Sequence, residues 1–569
     1  MRSPNRFLGL SLLVAGFALG CASPTPAALR DSAVPAPLVS EKRIVLAHPF
    51  LLDFHPTAPG PVKSKNFPLV ASGLTIGDGQ GNRRAILAEA VPTLENGLWQ
   101  LNPDGTMITT YRLRPAAKWH DGTAITAEDF LFTLEVGRDP KLPLFSHPGY
   151  AAIGDASAPD PFTLILHWKL PFVGADALFT GDDAPSGSPL PRHLLEEVYR
   201  SNSDGFLDLT YWNQSYVGTG PFRVETWNPG GSILLAAHDG FALGRPRIDH
   251  IELQSIQDRS ALMAGILAGT IDVASSLSVD EALQLRNQWQ DGVVGFNPHP
   301  ATWSMMAPQF IEPEPPIIGD LRFRRALLLA VDRQAIVDTV IGGLSPVPHS
   351  FLSSGLPRYA EIEKSLPRYG YEPERAAQIL ADIGYRRSDD GVYRDGSGQQ
   401  LAVDLRSAPA TAELQKAAAV IGNYWQQAGV SSTVTAIPPQ RANDREYVAT
   451  FPGFYLVGTP TDESGLRGFR SLAAALPANN FSPPAPPNSS RYMNPELDIL
   501  IDTYFRTVPL APRLEVLGQI ARLISEQHVV MGLYYSQVSL VHRNQVLGVS
   551  PSFPGTFTFW NAFEWDRRA

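Results

Sequence analysis

The chain has 569 residues, of which 44% are hydrophobic, and it carries a formal net charge of −10. This length exceeds the size of one hydrophobic core and predicts two or three domains, and the scattered Lys and Arg residues exclude a typical nucleic-acid-binding surface. Cys21 is the single cysteine, which excludes an intrachain disulfide and a cysteine-based metal site.

The amino-terminal segment has the pattern of an export signal. Arg2 and Arg6 precede an apolar run from Phe7 to Leu19, and this run is too short to span a bilayer. The small residue before Cys21 makes the segment resemble the bacterial lipoprotein signal, in which the cysteine takes a diacylglycerol and becomes the mature amino terminus. We therefore expect a lipoprotein signal peptide with the lipid attached to Cys21.

The alternatives to lipidation are ordinary cleavage near Ala22-Ser23 or Ala27-Ala28 and an uncleaved leader. The predicted lipoprotein signal peptide is residues 1–21. Residues 22–42 are rich in Pro and Ala and predict a semi-extended tether without a fold of its own.

Strand and helix patterns alternate through the rest of the chain, which favours a mixed α/β architecture. A strand is expected from Ile44 to Ala47. The glycine-rich stretch from Gly77 to Gly81 predicts a hairpin or loop followed by a helix over 84–90, because its spacing differs from that of nucleotide-binding loops.

Residues 111–130 predict a strand, a tight turn and a capped helix. Tyr111 alternates with charged residues as on a half-buried strand, and Gly122 supplies the positive φ of a turn. Thr126 is the expected N-cap, with Asp129 three residues later to complete a capping box. Structural roles at this corner explain the aromatic residues Trp119 and His120 without a ligand.

Two further positions fit structural roles. Asp332 is the expected N-cap of a helix that stops at Gly342. Gly218 and Gly220, followed by Pro221, indicate a place where two backbone segments approach closely.

Short motifs along the chain occur in the order typical of one family. Lys118-Trp119-His120-Asp121-Gly122 is followed by Thr126-Ala127-Glu128-Asp129 and then an apolar helix. The later matching segments are Gly218-Thr219-Gly220-Pro221-Phe222, Pro246 to Leu253, Leu267 to Asp272, Leu321 to Arg333, and Asn494 to Asp498. From about Ile44 to its end, the chain resembles family 5 solute-binding proteins, the extracytoplasmic receptors of peptide and nickel ABC importers.

This resemblance implies a mixed α/β fold of the periplasmic-binding-protein type II class, with two lobes around a ligand cleft and an additional third domain. In the implied division, lobe I comprises residues 43–75, 205–300 and 540–569. The extra domain comprises residues 76–204, and lobe II comprises residues 301–539.

The resemblance also places two segments near the ligand. The first is an extended strand around residues 300–310, with Trp303 and Gln309 as candidate contacts, although a Trp beside paired methionines is more often part of a core.

In the second segment, peptide-binding relatives carry Trp or Tyr followed by an Asp that holds the α-ammonium of the peptide. Tyr455 keeps the aromatic ring, but Gly458 and Thr459 occupy the positions expected for the acid, and Asp462 comes later. Either a loop insertion shifts the acid to Asp462, or the ammonium clamp is missing, which favours a ligand without a free amino terminus.

The chain lacks the motifs of a metalloprotease, a serine hydrolase and a phosphate-binding loop, and its histidines are dispersed. We therefore expect no catalytic residue, no metal site and no cofactor. The expected protein is a monomeric receptor that captures an oligopeptide or peptide-like ligand by hinge closure. It delivers the ligand to the permease and ATPase of an ABC importer and is held in the periplasm by its lipid, at the outer or inner membrane.

Three alternatives stay open at this point. In the first alternative, the ligand of the receptor is a non-peptide solute, such as an opine, a glycoside or a chelated metal. In the second and third alternatives, the chain is an exported hydrolase or a sensor domain built on the same scaffold.

Overall fold

The computed structural model describes residues 41–55, 67–142, 147–180, 187–297, 301–353, 357–408, 412–461, 463–483, 487–553 and 557–568. The predicted signal with Cys21, most of the tether, and Asp462 lie outside the described residues. No helix in the described ranges is both long enough and apolar enough to cross a membrane.

Seven strands form the largest sheet within the described ranges. Arg43–His48 lies inside this sheet, parallel to His250–Ser255 on one side and to Val273–Ser275 on the other. Ile44 and Leu46 are fully buried, which confirms the strand expected in this segment. In sheet order the strands are Gly292–Phe296, Ser539–Arg543, Val273–Ser275, Arg43–His48, His250–Ser255, Ser232–Ala237 and Phe222–Asn228.

A four-stranded antiparallel sheet and one helix form a second structural region. The helix Ala127–Gly137 begins as expected, with Asp129 Oδ2 accepting a hydrogen bond from the Thr126 N–H at 2.8 Å. Tyr111 is fully buried on its strand, and Gly122 has a φ of 90° in the turn. In sheet order the strands are Trp99–Leu101, Met107–Arg112, Thr163–Trp168 and Ile153–Asp160.

The corner around His120 contacts a glycine-rich segment. His120 Nδ1 accepts a hydrogen bond from the Gly218 N–H at 3.1 Å, and its Nε2 lies 3.2 Å from the Gly220 carbonyl oxygen, to which it donates. A Cβ added to Gly218 would lie 2.0 Å from the carbonyl oxygen of Val70. The close backbone approach expected at these glycines is therefore confirmed, and two of the recognised motifs hold each other in place.

A five-stranded sheet forms the third region. Phe454–Pro460 lies antiparallel to Thr302–Pro308 and parallel to Ala402–Ser407. The helix Arg333–Ile341 covers a core that also contains buried residues of these strands. Asp332 caps this helix through the Ala335 N–H, and the helix stops at Gly342 with a φ of 61°, as expected. In sheet order the strands are Ser431–Ala436, Ala402–Ser407, Phe454–Pro460, Thr302–Pro308 and Met531–Tyr535.

Helices and short strand pairs complete the mixed α/β architecture that the sequence predicts. The α-helices are Ala127–Gly137, Gly149–Ala152, Arg192–Ser201, Arg259–Leu267, Val279–Gln288, Leu321–Leu329, Arg333–Ile341, Ala360–Ser365, Pro373–Asp382, Ala412–Gln427, Arg445–Ala449, Glu463–Arg467, Pro495–Arg506 and Leu510–Glu526. The short antiparallel pairs are Thr75–Gly77 with Arg83–Ala85, Arg386–Arg387 with Tyr393–Arg394, and Val546–Leu547 with Asp566–Arg567.

The helix expected over 84–90 is wrong. Arg83–Ala85 is a strand of the first short pair, and the next residue, Ile86, donates its N–H to the Leu74 carbonyl at 3.0 Å. Pairing with the strand Thr75–Gly77 and its neighbours therefore takes the backbone groups that a helix would need.

Candidate functional site

A cavity of about 750 Å³ lies between two parts of the chain. One wall belongs to residues 77–180, and the other belongs to residues 358–553. This volume falls within the range of about 300–1,000 Å³ that is typical of small-molecule sites. The aromatic and charged residues of the described lining are Trp99, His147, Phe172, Tyr359, Phe505, Phe553, Arg83, Arg358, Arg467, Arg513, Glu95 and Asp176.

The hairpin Thr75–Gly77 with Arg83–Ala85 forms one edge of the cavity. Its tip is held by Asp78, whose Oδ1 accepts hydrogen bonds from two backbone N–H groups of the loop at 2.8 and 2.9 Å. Gly81 has a φ of 85°, and a Cβ added there would lie 2.6 Å from the ring of Phe553. The expected hairpin is therefore confirmed, and its glycine lets the loop lie directly against an aromatic ring of the opposite part of the chain.

Two arginines of the lining lie over aromatic rings. The guanidinium carbon of Arg358 is 5.0 Å from the centroid of the Tyr359 ring and 5.4 Å from that of the Phe553 ring. The guanidinium carbon of Arg467 is 4.9 Å from the centroid of the Phe505 ring. Such contacts orient a guanidinium without neutralising its charge.

The charges of the lining are unequal. Among the lining residues that the structure describes, four arginines accompany two carboxylates, Glu95 and Asp176. Within the described part of the chain, neither Arg358 nor Arg513 has a carboxylate at ion-pair distance; Arg513 Nη1 donates only to the Val508 carbonyl oxygen, at 3.4 Å. Arg358 and Arg513 are therefore two positive charges of the lining that no described carboxylate pairs with.

The two predicted ligand segments are neighbours in space. Thr302–Pro308 pairs with Phe454–Pro460, and in this register Trp303 lies opposite Thr459 and Ala307 lies opposite Tyr455. The structure therefore brings together two segments that the sequence singles out separately.

The Trp303 side chain lies in the protein interior and does not line the 750 Å³ cavity. It is 1% exposed and packs in an apolar cluster with residues such as Phe351. It also borders an enclosed space of about 20 Å³ together with Arg333 and His349. Burial lowers the pKa of Arg333 to about 10, and burial together with the Arg333 charge lowers the pKa of His349 to about 4.

Gln309 and Tyr455 are also buried. Gln309 Nε2 donates to the carbonyl oxygens of Ala449 and Phe451, each at 3.0 Å, and its Oε1 accepts from Arg491 Nε at 3.0 Å. Tyr455 lies against the ring of Phe451, and burial raises its pKa to about 12. These contacts are with protein groups, and a role of either side chain in ligand binding stays a prediction.

The remaining predicted residues lie at the end of the strand Phe454–Pro460. Gly458 is exposed, and Thr459 is half-buried beside a small space of about 10 Å³. Asp462 lies outside the described residues, but Thr461 and Ser464, which flank it in sequence, both line the 750 Å³ cavity.

The arginines and aromatic rings of the cavity were not predicted from the sequence. Arg358, Phe505 and Phe553 lie far apart in the chain and belong to no recognised motif. The local signal available was an arginine beside an aromatic residue in a proline-containing loop, as in Pro357-Arg358-Tyr359, and this signal is too common to mark a site.

The family model of the bacterial extracellular solute-binding proteins, family 5, middle region, matches residues 89–475. The chain belongs to this family. The matched segment contains the four-stranded sheet and most of the five-stranded sheet.

Curated relatives of this family member are distant. A putative ABC transporter peptide-binding protein of Brucella abortus is 25% identical over 297 residues, which is 50% of this chain and 51% of the relative. The chain thus matches about half the length of that relative. The oligopeptide-binding protein AppA of Bacillus subtilis is 23% identical over 367 residues, or 64% of this chain and 62% of AppA.

Solved structures establish the fold of this family member. NikZ from Campylobacter jejuni, in complex with Ni(L-His), superimposes with a TM-score of 0.71 and 21% identity, covering 92% of this chain and 99% of NikZ. AppA from Bacillus subtilis, in complex with a nonapeptide, gives a TM-score of 0.69 and 19% identity, covering 93% of this chain and all of AppA. The expected periplasmic-binding-protein type II fold is confirmed, and the boundaries of its lobes and extra domain stay a prediction.

Proposed function

We propose that the protein is the solute-binding receptor of an ABC importer, capturing an oligopeptide or peptide-like ligand and delivering it to an inner-membrane permease. The observation that carries this proposal is the 750 Å³ cavity in a chain of the solute-binding family. A space of this size, lined by aromatic rings and a few charged groups, suits a small organic ligand. The permease complex hydrolyses ATP, and the role assigned to this chain is binding without catalysis.

The peptide class rests on the relatives. The Brucella abortus and Bacillus subtilis relatives are described as peptide-binding and oligopeptide-binding proteins, respectively. A chelated metal is the second candidate ligand, because NikZ, which shares the fold, was solved with Ni(L-His). Either ligand would bind by bridging the two walls of the cavity.

Hinge closure is the mechanism by which such a receptor signals that it is loaded. A ligand that contacts both walls favours the closed form over the open form, and shifting a population from 1:99 to 99:1 requires about 5.5 kcal/mol of differential affinity. The walls contributed by residues 77–180 and residues 358–553 are the surfaces that a ligand would join.

We further propose Asp462 as the group that binds the ammonium of a peptide. Its sequence neighbours Thr461 and Ser464 line the cavity, which supports this assignment. The substitution Asp462→Asn should weaken binding of a peptide with a free amino terminus and leave binding of its N-acetylated form unchanged. If the wild-type protein and Asp462→Asn bind the peptide with a free amino terminus equally well, Asp462 is not the ammonium-binding group.

The proposed location is the periplasm, with the protein anchored by a lipid on Cys21. In its native host, metabolic labelling with a fatty acid should mark the wild-type protein. The substitution Cys21→Ser should abolish the label and release the protein into the soluble fraction. Retained labelling would contradict the anchor without affecting the ligand proposal.

The experiment that tests the receptor function is a thermal-shift screen of the purified protein with pools of di- to hexapeptides and with metal–histidine chelates, followed by calorimetry on each hit. We expect at least one pool to raise the melting temperature and to bind with one-to-one stoichiometry. A screen in which neither peptides nor chelates stabilise the protein would contradict the proposal.

A further inference from the structure

The charge of the cavity indicates the chemical class of its ligand. Among its described lining residues are four arginines and two carboxylates, while the chain as a whole carries a net charge of −10. A cleft lined by an excess of one sign concentrates the field between its low-dielectric walls and attracts the opposite charge. The described lining therefore has an excess of positive charge at the place where a solute would bind.

Arg358 and Arg513 are the groups that an anion would meet. Arg358 is exposed and lies over two aromatic rings, and Arg513 is half-buried beside the Val508 carbonyl. In the ranges that the structure describes, no carboxylate neutralises either guanidinium, and planar guanidinium groups bind carboxylates in a two-pronged geometry.

The aromatic support of Arg358 makes it a prepared binding group. The ring of Phe553 lies against the hairpin glycine Gly81 and also against the guanidinium of Arg358. This stack restricts the arginine before a ligand arrives, and a group that is already oriented loses less entropy on binding. A cation used merely to keep a surface soluble would not need such support.

We infer that the ligand is a small polyanion whose carboxylates are bound by Arg358 and Arg513. This inference rests on the proposed receptor function and narrows its ligand to solutes with several carboxylates. Two sources share that chemistry: a peptide rich in Asp and Glu, and a small non-peptide polycarboxylate.

The test compares matched ligands by calorimetry on the full mature chain. The peptide series has three tetrapeptides. The first contains only Asp and Glu, the second replaces these residues with Asn and Gln, and the third contains two Lys. The non-peptide probe is citrate. We expect the acidic peptide or citrate to bind at least tenfold more tightly than the neutral peptide, and we expect this preference to shrink between 50 and 500 mM salt.

The substitutions Arg358→Gln and Arg513→Gln should each lower the affinity for the acidic ligand by about tenfold or more, because each removes a charge-assisted hydrogen bond. The matched control is Arg506→Gln, since Arg506 is exposed on the neighbouring helix and does not line the cavity. Circular dichroism and the melting temperature verify the fold of every variant. Arg358→Glu should reverse the preference toward the Lys-containing peptide.

The outcomes separate this inference from the receptor function. If neutral and acidic peptides bind equally and the two arginine variants behave as Arg506→Gln does, the polyanion inference is overturned and the receptor proposal stands. If none of the probes and none of the peptide or chelate pools binds, the receptor proposal fails as well. Binding of citrate alone supports the inference and assigns the non-peptide source.

Discussion

The backbone N–H of Val173 donates a hydrogen bond to the carbonyl oxygen of Phe505 at 3.0 Å. This bond joins the two walls of the 750 Å³ cavity, because Val173 and Phe505 line it from opposite parts of the chain. Val508, three residues later, is 8% exposed and lies in the apolar cluster that contains Leu74 and Phe172. The contacts that hold the walls together beside the cavity therefore include this hydrogen bond and the buried Val508 side chain.

The valine contact predicts an effect on ligand affinity. If the walls separate when the ligand leaves, Val508→Ala destabilises the closed form by about 1 kcal/mol. The affinity for the ligand should then fall about fivefold. The control is Val516→Ala, because Val516 packs against a cluster formed within residues 303–553. Calorimetry that gives both variants the same affinity would exclude a role of Val508 in closure.

A steric contact at the hairpin tip predicts a second effect. Gly81→Ala should destabilise the protein by about 2 kcal/mol or more, because the new Cβ needs both a positive φ and displacement of the Phe553 ring. Gly105 has the same φ of 85° with nothing within 4 Å, so Gly105→Ala isolates the backbone cost, about 1 kcal/mol. Equal melting temperatures of the two variants would contradict the packing of Gly81 on Phe553.

A buried carboxylate should be the most sensitive ionic position outside the cavity. Asp272 is 5% exposed, and its Oδ2 accepts from the Val45 N–H and from Arg567 Nη1, each at 2.9 Å. Asp272→Asn should cost about 3 kcal/mol in urea unfolding, since it leaves the half-buried guanidinium groups of Arg567 and Arg543 without their buried carboxylate. Asp280→Asn, which breaks an exposed pair with Lys416, should cost less than about 1 kcal/mol.

The histidine at the motif corner predicts a pH dependence. Burial, with a further contribution from His238 and Arg223, lowers the pKa of His120 to about 3, although Asp121 and the Gly220 carbonyl act in the opposite direction. The unfolded chain, with a histidine pKa of about 6.5, binds the proton more readily, so stability falls as the pH drops below about 6.5. At pH 5 this loss of stability amounts to about 2 kcal/mol.

The substitution His120→Asn removes that titrating group. The free energy of unfolding of the variant should therefore fall by about 2 kcal/mol less than that of the wild-type protein between pH 7 and pH 5. Urea unfolding at both pH values measures this difference. Parallel losses in the two proteins would show that His120 does not titrate as its burial indicates.

Features that depend on neighbouring residues were predictable from the sequence. The cap at Thr126, the stop at Gly342 and the turn at Gly122 each follow from a few adjacent residue types, and the structure confirms all three. The family motifs also predicted the fold, because their order along the chain is more specific than any one of them.

The cavity was not predictable in the same way. Its lining joins Arg358, Phe505 and Phe553 to the hairpin around Gly81, and these contacts depend on tertiary packing across hundreds of residues. The sequence also left open which way Trp303 points, since a one-residue change of register moves a strand side chain from one face to the other. Burial of its ring in an apolar cluster decides that question.

Native mass spectrometry of protein purified from its own host tests most directly whether the 750 Å³ cavity holds a small solute. Ser464 lines the cavity and is half-buried, so Ser464→Trp should place an indole ring in it and obstruct the ligand, whereas Ser482→Trp changes an exposed residue away from it. We predict that the wild-type protein and Ser482→Trp retain the same small ligand and that Ser464→Trp, while folded, retains none. Retention of that ligand by folded Ser464→Trp would contradict the assignment of the cavity.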